Sequence, residues 1–279
     1  MENINNNVIL VPTDFSEVGN NAVIMGAETA QELNYKLVLL HVIDKNTKAD
    51  LKKENLSEED IKEKLGTEAV SLKEKFNIEV ETLAIEGNIF NTISEVADEI
   101  KAGLIYIGTH GKVGMQKLTG SFILKVIESS NVPVITVQKR KIDKGVNNMV
   151  LPITSDAGPW EKTKWAAFVA KKFNAKIHVF HTEGEQIEDA LTLITNHFKA
   201  NEVEFETIKA DKSGNFTKQV IDYSTSINSE MILIMTNPDK GLKTFIMGSY
   251  DEDIILNSSQ IPVMCINPRD FNWKKIVTR

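Results

Sequence analysis

The sequence predicts an α/β fold made of two tandem domains, each an open parallel sheet of five strands flanked by helices. Three observations support this prediction. The 279 residues exceed the size at which a single hydrophobic core usually stops growing. Five segments recur in the same order in the two halves, and within each half short apolar runs alternate with helical patterns. Such alternation favours parallel strands joined by right-handed crossovers.

An internal repeat relates the two halves. VILVPTDFSEV, which begins at Val8, matches MVLPITSDAG, which begins at Met149, and each is an apolar strand that reaches a proline before a polar turn. GSFILKVIESSNVPVITV from Gly120 matches GSYDEDIILNSSQIPVMCI from Gly248. Between them, in unchanged order, LVLLHVID matches IHVFHTE, EGNIFNTISEVADEI matches SGNFTKQVIDYSTSI, and LIYIGTH matches ILIMTNP. A fixed order of five matches indicates a duplicated domain.

The repeat sets the domain boundaries and the elements of the first copy. We place the domains at 1–140 and 147–279, joined by the polar linker 139–147. Nearly continuous apolar runs predict strands covered by helices on both faces, and the periodic segments between them predict those helices. The predicted strands are 8–12, 36–42, 79–85, 104–108 and 134–138, and the predicted helices are 17–33, 58–76, 89–101 and 121–129.

Local signals support the second of these helices. Ser57 and Asp60 have the spacing of a capping box, which predicts that a helix begins here. The charged stretch 45–75 is interpreted as a solvated helical crossover.

Composition excludes several classes of protein. A net charge of −7 argues against a general nucleic-acid surface, which needs a basic excess. The single cysteine, Cys265, cannot form an internal disulfide, which favours a reducing compartment. The sequence has no signal-peptide pattern, and no apolar run approaches the roughly 20 residues of a membrane span. We therefore expect a cytoplasmic protein without nucleic-acid or membrane partners.

Candidate ligand-binding residues follow the predicted strands. Ligands of open parallel sheets bind beyond the carboxyl ends of the strands. The residues at these positions here are 12–14, Val42 and the long loop 108–121. Glycines in that loop permit close backbone approach, and the helix that begins at Gly120-Ser121 offers free N–H groups to a phosphate. Asp14 is an acceptor suited to an amino group or a ribose hydroxyl.

Ordinary structural roles compete with these interpretations. Asp14 can cap a helix or brace a turn, and Gly120-Ser121 can be a simple loop-to-helix turn. His110 suggests a catalytic base, but the sequence identifies no carboxylate partner for it. The sequence contains neither a nucleophile with an oriented base nor a cluster with metal-ligand spacing. We therefore assign no catalytic and no metal-binding residues.

The motifs VPTDFSE, LLHVID and IGTHG…GS followed by NVPVITV resemble the universal stress protein domain, the UspA family, over nearly the whole chain. That family's nucleotide signature is G-x-x-G, nine residues, then G-[S/T]; here eight residues separate Gly111 from Gly120. The resemblance implies a Rossmann-like sheet of the adenine-nucleotide α-hydrolase type with strand order 3-2-1-4-5. The implied ATP contacts are Pro12, Thr13, Asp14, Val42, Ile107, Gly108, His110, Gly111, Gly120, Ser121 and Phe122.

The second copy departs from this pattern. Thr154 replaces Asp14, Met235-Thr236-Asn237-Pro238 replaces the front glycine motif, and carboxylates at 251–253 follow the second Gly-Ser. Carboxylates at a helix start repel phosphate and satisfy the helix dipole themselves. We expect no ATP in this copy.

These observations predict an ATP-linked sensor or signalling module of the stress response, with ATP, with or without Mg, in the first domain only. A scaffold that acts through an unknown protein partner and a weak ATPase are the alternatives. A wider α-hydrolase enzyme is disfavoured because no SGGxDS loop is present. The resemblance also implies pairing between the last strands of the two domains, an internal pseudo-dimer, and allows a homodimer. The sequence leaves open whether ATP, AMP or a cyclic nucleotide binds.

Overall fold

The computed structural model describes residues 7–110, 120–140, 142, 145–154, 159–236 and 249–267. The chain divides into two compact units, Met1–Lys141 and Ile142–Arg279. Within the described ranges, no helix combines the length and the hydropathy needed to cross a bilayer.

The first unit is a parallel five-stranded sheet with the strand order β3-β2-β1-β4-β5. This confirms the fold class and the order 3-2-1-4-5 that the resemblance implies. The elements are β1 (Val8–Pro12), α1 (Glu17–Leu33), β2 (Lys36–Ile43), α2 (Lys45–Glu54), α3 (Glu58–Phe76), β3 (Val80–Glu86), α4 (Ile89–Glu99), β4 (Leu104–Gly108), α5 (Gly120–Ser129) and β5 (Val134–Val137).

The second unit repeats this topology, as the internal repeat predicts. Its strands are parallel in the order β8-β7-β6-β9-β10. The elements are β6 (Asn148–Ile153), α6 (Pro159–Phe173), β7 (Lys176–His181), α7 (Glu185–Ala200), β8 (Phe205–Lys209), α8 (Phe216–Ser226), β9 (Met231–Met235), α9 (Ser249–Ile255) and β10 (Val263–Ile266).

Helices cover both faces of each sheet. Every residue of β4, and every residue of β2 after Lys36, is buried. Because alternate residues of a strand face opposite sides, both faces must be covered. In the first unit α1 lies beside α3 and α4 beside α5, and in the second α6 lies beside α7 and α8 beside α9.

The predicted helical crossover 45–75 contains two helices, α2 and α3. Asn55 ends α2 in a left-handed conformation (φ 53°), and Ser57 begins α3. The backbone N–H of Ser57 donates to Oδ2 of Asp60 at 2.7 Å, and the predicted capping box is present. Thr47 is the only buried residue of α2, so this helix has too short an apolar pattern to be recognised as a separate element.

A buried hydrogen bond connects α1 to β4. The hydroxyls of Thr29 and Tyr106 lie 2.7 Å apart, and both residues are less than 7% exposed. Burial raises the pKa of Tyr106 to about 12, although the bond to Thr29 acts in the opposite direction.

We predict that Tyr106→Phe lowers the free energy of unfolding by about 1–3 kcal/mol, because a buried hydroxyl then loses its partner. Thr29→Val should have a similar effect, whereas the double variant should cost less than the sum of the two. Urea denaturation of the four chains measures this coupling. Strictly additive losses would contradict the role given to the bond.

Candidate functional site

A crevice opens at the carboxyl end of the first sheet, between β1 and β4. In a parallel sheet the N–H and C=O of one residue point to one neighbouring strand, and those of the next residue point to the other. Thr13 N–H donates to Leu40 of β2 at 2.8 Å, so Pro12 faces β4. Proline has no N–H to donate, and the pairing of β1 with β4 covers only Ile9 and Leu10. The strands therefore part where the order of the chain reverses, at the usual ligand position of such folds.

A small cavity lies at this end of the sheet. Its volume is about 40 Å³, which holds a few water molecules and is far below the roughly 300–1,000 Å³ of ligand pockets. Four of the predicted ATP contacts line it. The lining residues are Pro12, Thr13, Asp14, Leu40, His41, Val42, Asp44, Thr47, Ile89 and Ile93.

The turn between β1 and α1 fixes Asp14. Its Oδ1 accepts from the N–H of Ser16 at 3.0 Å, and Oγ of Ser16 accepts from Gly19 to cap α1. Phe15, between them, has a left-handed backbone (φ 60°), which is unusual for a bulky residue. The other carboxylate oxygen, Oδ2, accepts no hydrogen bond from the residues that the structure describes. Asp14 thus braces the turn with one carboxylate oxygen, while the other has no partner among the described residues.

Thr13 and His41 hold the same turn from the side of β2. Oγ1 of Thr13 accepts from the N–H of Phe15 at 3.1 Å, and Nδ1 of His41 lies 2.8 Å from the carbonyl oxygen of Thr13. The ring of Phe15 stacks on that of His41, with centroids 5.0 Å apart. These contacts connect the ends of β1 and β2, which together form one wall of the cavity.

Val42 contacts the first turn of α2. Its carbonyl oxygen accepts from the N–H of Asp44 at 3.1 Å and lies 3.5 Å from the hydroxyl of Thr47. Oδ1 of Asp44 caps α2 by accepting from the N–H of Thr47 at 2.7 Å. The predicted contact Val42 is thus present in the cavity, but α2 covers it from one side.

Gly108 has a packing role that the sequence did not reveal. A Cβ at this position would lie 2.5 Å from the backbone carbonyl carbon and oxygen of Val18, and 2.7 Å from the nitrogen of Gly19. Only glycine lets the end of β4 approach the first turn of α1 so closely. Gly19 is similarly restricted, since its Cβ would lie 2.8 Å from Oδ1 of Asp14. The glycine of the signature therefore shapes the crevice whether or not a ligand is bound.

The residues around Gly108 differ in burial. Ile107 is fully buried in β4, so its contact with a ligand would be made through the backbone. Thr109 donates its N–H to Val137 of β5 at 2.8 Å. His110 is half-buried, and its Nε2 is enclosed without a hydrogen-bond partner among the described residues. Gly111, Lys112 and Lys117 lie outside the residues that the structure describes.

Gly120 and Ser121 form the first turn of α5, which confirms that this helix begins at the predicted Gly-Ser pair. The ring of Phe122 stacks on Phe90 of α4, with centroids 4.5 Å apart, and the ammonium of Lys125 lies 4.6 Å from the centre of the Phe90 ring. Phe122 is thus engaged in packing, and its backbone is the part available to a ligand.

The sequence missed the contributions of α2 and α4 to the cavity. Asp44 is the N-cap of α2 and Thr47 lies in its first turn, while Ile89 and Ile93 come from the first turns of α4. The hydrophobic pattern of Ile89 and Ile93 indicates a buried helix face, but only the crossover brings that face to the end of β2. Among the residues that the structure describes, no group of three or more His, Cys, Asp or Glu side chains is placed to hold a metal ion.

Comparison with known proteins identifies the family. A sequence model of the Universal stress protein family matches residues 5–138. A universal stress protein of Methanocaldococcus jannaschii is 33% identical over 141 residues, which are 48% of this chain and 82% of that protein. The chain belongs to the universal stress protein family. A Synechocystis universal stress protein is 31% identical over 132 residues, 46% of this chain and 83% of the relative.

Solved structures of universal stress proteins share the fold. A crystal structure from Archaeoglobus fulgidus aligns with a TM-score of 0.73 at 22% identity, over 94% of this chain and 99% of its own. A putative universal stress protein from Pseudomonas aeruginosa aligns with a TM-score of 0.66 at 15% identity over the full length of both chains. At these identities the likeness concerns the fold alone. Family membership supports a general role of this protein in the stress response.

We predict that Gly108→Ala destabilises this universal stress protein by about 1–3 kcal/mol, because the added methyl group overlaps backbone atoms of α1 that cannot move independently. Gly66→Ala in α3 is the matched control, since a Cβ there meets nothing within 4 Å. It should stabilise the protein by about 0.5–1 kcal/mol, the cost of glycine inside a helix. Urea denaturation compares the two, and equal effects would refute the close approach at Gly108.

Proposed function

We propose that the first unit binds an adenine nucleotide, ATP with or without Mg, at the carboxyl end of its sheet, and that the second unit binds none. The protein would then act as a cytoplasmic ATP-linked sensor or signalling module of the stress response. The observation that carries this proposal is the arrangement of Asp14. One carboxylate oxygen is held by the turn, Asp14 lines the cavity, and its other oxygen is an acceptor suited to a ribose hydroxyl or an amino group.

Two further features support the proposal. Gly120 and Ser121 lie in the first turn of α5, and free N–H groups at a helix N-terminus stabilise phosphate. The pairing of β1 and β4 ends early, so backbone groups at the crevice remain for a ligand. Both features belong to the edge at which open parallel sheets bind ligands.

We expect the cavity to enlarge when a nucleotide binds. A volume of about 40 Å³ cannot hold a nucleotide, whose binding needs a pocket of several hundred Å³. Helix α2 is suited to move, because Thr47 is its only buried residue. Displacement of its first turn would expose Val42 and enlarge the cavity. Such a displacement changes the protein surface and supplies a signal that a partner can recognise.

Two alternatives make different predictions. A scaffold that works through protein partners would keep the cavity closed, and the small volume of the cavity favours this alternative. A weak ATPase needs an oriented base, for which His110 is a candidate in the described part of the site. A slow turnover that scales with protein concentration and is lost in a His110→Ala variant would favour the ATPase.

Asp14→Asn tests the proposed site more sharply than alanine. Asparagine keeps an oxygen for the N–H of Ser16 and replaces the free oxygen by an amide donor. We expect unliganded stability close to that of the parent, but loss of the stabilisation by Mg-ATP, which is about 2.7 kcal/mol at a concentration 100 times Kd.

Thermal denaturation with and without Mg-ATP measures the effect. Asp222→Ala is the control, because Asp222 is an exposed partner of Lys218 on α8 and should leave the response unchanged. Equal stabilisation of the parent and of Asp14→Asn would remove Asp14 from the site. An unstabilised parent would favour the scaffold.

A further inference from the structure

A long groove lies between α1 and α3 of the first unit. Its volume is about 770 Å³, which is within the roughly 300–1,000 Å³ of ligand pockets and far above the 40 Å³ of the cavity beside Asp14. The groove follows α3 over three turns, a distance of about 18 Å at 1.5 Å per residue. Among the residues that line it, α3 contributes Asp60, Lys64, Glu68 and Leu72, and α1 contributes Asn20 and Ile24.

Apolar side chains form part of the lining of this groove. Leu72 is buried, while Phe15 and Ile24 are only half-buried. The half-buried side chains keep apolar surface in contact with water, which a partner can cover with a gain in free energy. Apolar residues bordered by polar ones are typical of protein–protein contact surfaces.

Two carboxylates in the groove have no ion pair. Glu63 is exposed and Glu68 is half-buried, and neither forms a salt bridge with a residue that the structure describes. Burial raises the pKa of Glu68, although the charge of Lys64 acts in the opposite direction. Asp60 differs from both, because its Oδ2 accepts from the N–H of Ser57 at 2.7 Å. The groove therefore offers two acceptors to a cation from outside.

A lysine of the chain itself already uses the aromatic ring in the groove. The ammonium of Lys64 lies 4.1 Å from the centre of the Phe15 ring, and the same ring stacks on His41. Lys64 is exposed, and such a contact is weak at an exposed site. Guanidinium groups make cation–π contacts more often than ammonium groups do, so an arginine of a partner can compete for this ring.

The walls of the groove favour a helical occupant. Extended peptides bind through backbone hydrogen bonds to the edge of a sheet, whereas amphipathic helices bind in apolar grooves. Both walls here are helices, whose backbone groups are already bonded within each helix. A helix of about 12 residues matches the length of the groove.

We propose that the groove between α1 and α3 binds a basic amphipathic helix of a partner protein. The apolar face of that helix packs on Phe15, Ile24 and Leu72. Its lysines or arginines pair with Glu63 and Glu68.

This docking surface goes beyond the proposed nucleotide site and needs no nucleotide. It gives a chemical character to the protein partner through which the proposed module acts. Phe15 belongs to the turn that fixes Asp14, so the docked helix contacts a residue next to the nucleotide site.

Three fluorescent peptides of about 14 residues test the charge of the occupant. They share a face of leucines at helical spacing, and their remaining positions carry lysine and arginine, glutamine, or glutamate. Fluorescence anisotropy measures their binding to the full chain without nucleotide. We expect saturable binding of one basic peptide per chain, and binding at least about tenfold weaker for the other two. A basic peptide that does not bind saturably would overturn the proposal.

A double variant, Glu63→Gln with Glu68→Gln, tests the place of binding. It preserves side-chain volume and removes both unpaired carboxylates, so the basic peptide should bind about tenfold more weakly. Glu59→Gln with Glu74→Gln is the matched control, because it removes the same charge from exposed positions of α3 outside the groove. The control should weaken binding less than about twofold. Equal losses would indicate attraction to the net charge alone and would overturn the proposal.

Two single variants test the remaining contacts. Ile24→Ala removes apolar surface and should weaken binding of the basic peptide about fivefold. Lys64→Gln frees the ring of Phe15 and removes a repelling charge, so it should strengthen binding about threefold. Unchanged affinity in Ile24→Ala, or weaker binding in Lys64→Gln, would count against the proposed arrangement. Far-UV circular dichroism verifies that each variant is folded.

A second copy of the chain is the competing occupant of the groove. In that case the parent would dimerise, and Glu63→Gln with Glu68→Gln would release monomers in sedimentation velocity. That result would overturn the assignment to a partner helix. A parent that binds the basic peptide but no nucleotide would contradict only the proposed function, and one that binds nucleotide but no peptide would contradict only the docking surface.

Discussion

The crevice of each unit depends on a proline near the end of its central strand. Pro12 and Pro152 each face the strand across the switch point, and neither can donate a backbone hydrogen bond there. Pairing with that strand covers only two residues in each unit. One side of the central strand therefore keeps its hydrogen bonds while the other opens, and Pro12, Thr13, Asp14 and Val42 of the first unit line the cavity at this end of the sheet.

The two units differ in the residues that surround this opening. In the first unit the crevice is shaped by close packing, since Gly108 brings β4 against α1 and Asp14 is fixed by the turn. In the second unit Met235 ends β9, and the ammonium of Lys162 donates to the carbonyl oxygen of Pro152 at 2.6 Å. The two copies of the fold therefore differ in the side chains that lie at the same edge of the sheet.

Most of the sheet could be predicted from the sequence, because its signals are local. The apolar run 8–12 and the repeat of its proline define the central strands, and the capping box at Ser57 gives the start of α3. Predictions at element ends were less accurate. The helix predicted over 89–101 ends at Glu99, and Lys101 adopts a left-handed conformation that breaks it.

The site was predicted less completely than the fold, because its geometry depends on residues distant in the chain. Pro12, Thr13, Asp14 and Val42 could be placed at one edge from strand ends alone, and they line one cavity. Two features follow only from tertiary packing. The close approach of α1 requires a glycine at Gly108, and α2 covers Val42.

Native mass spectrometry of the freshly purified chain, followed by denaturation and identification of any released nucleotide, tests the central claim most directly. We expect at most one adenine nucleotide per chain, rising to one on addition of Mg-ATP and absent from the Asp14→Asn variant. Two nucleotides per chain, or one that persists in Asp14→Asn, would contradict a single site in the first unit.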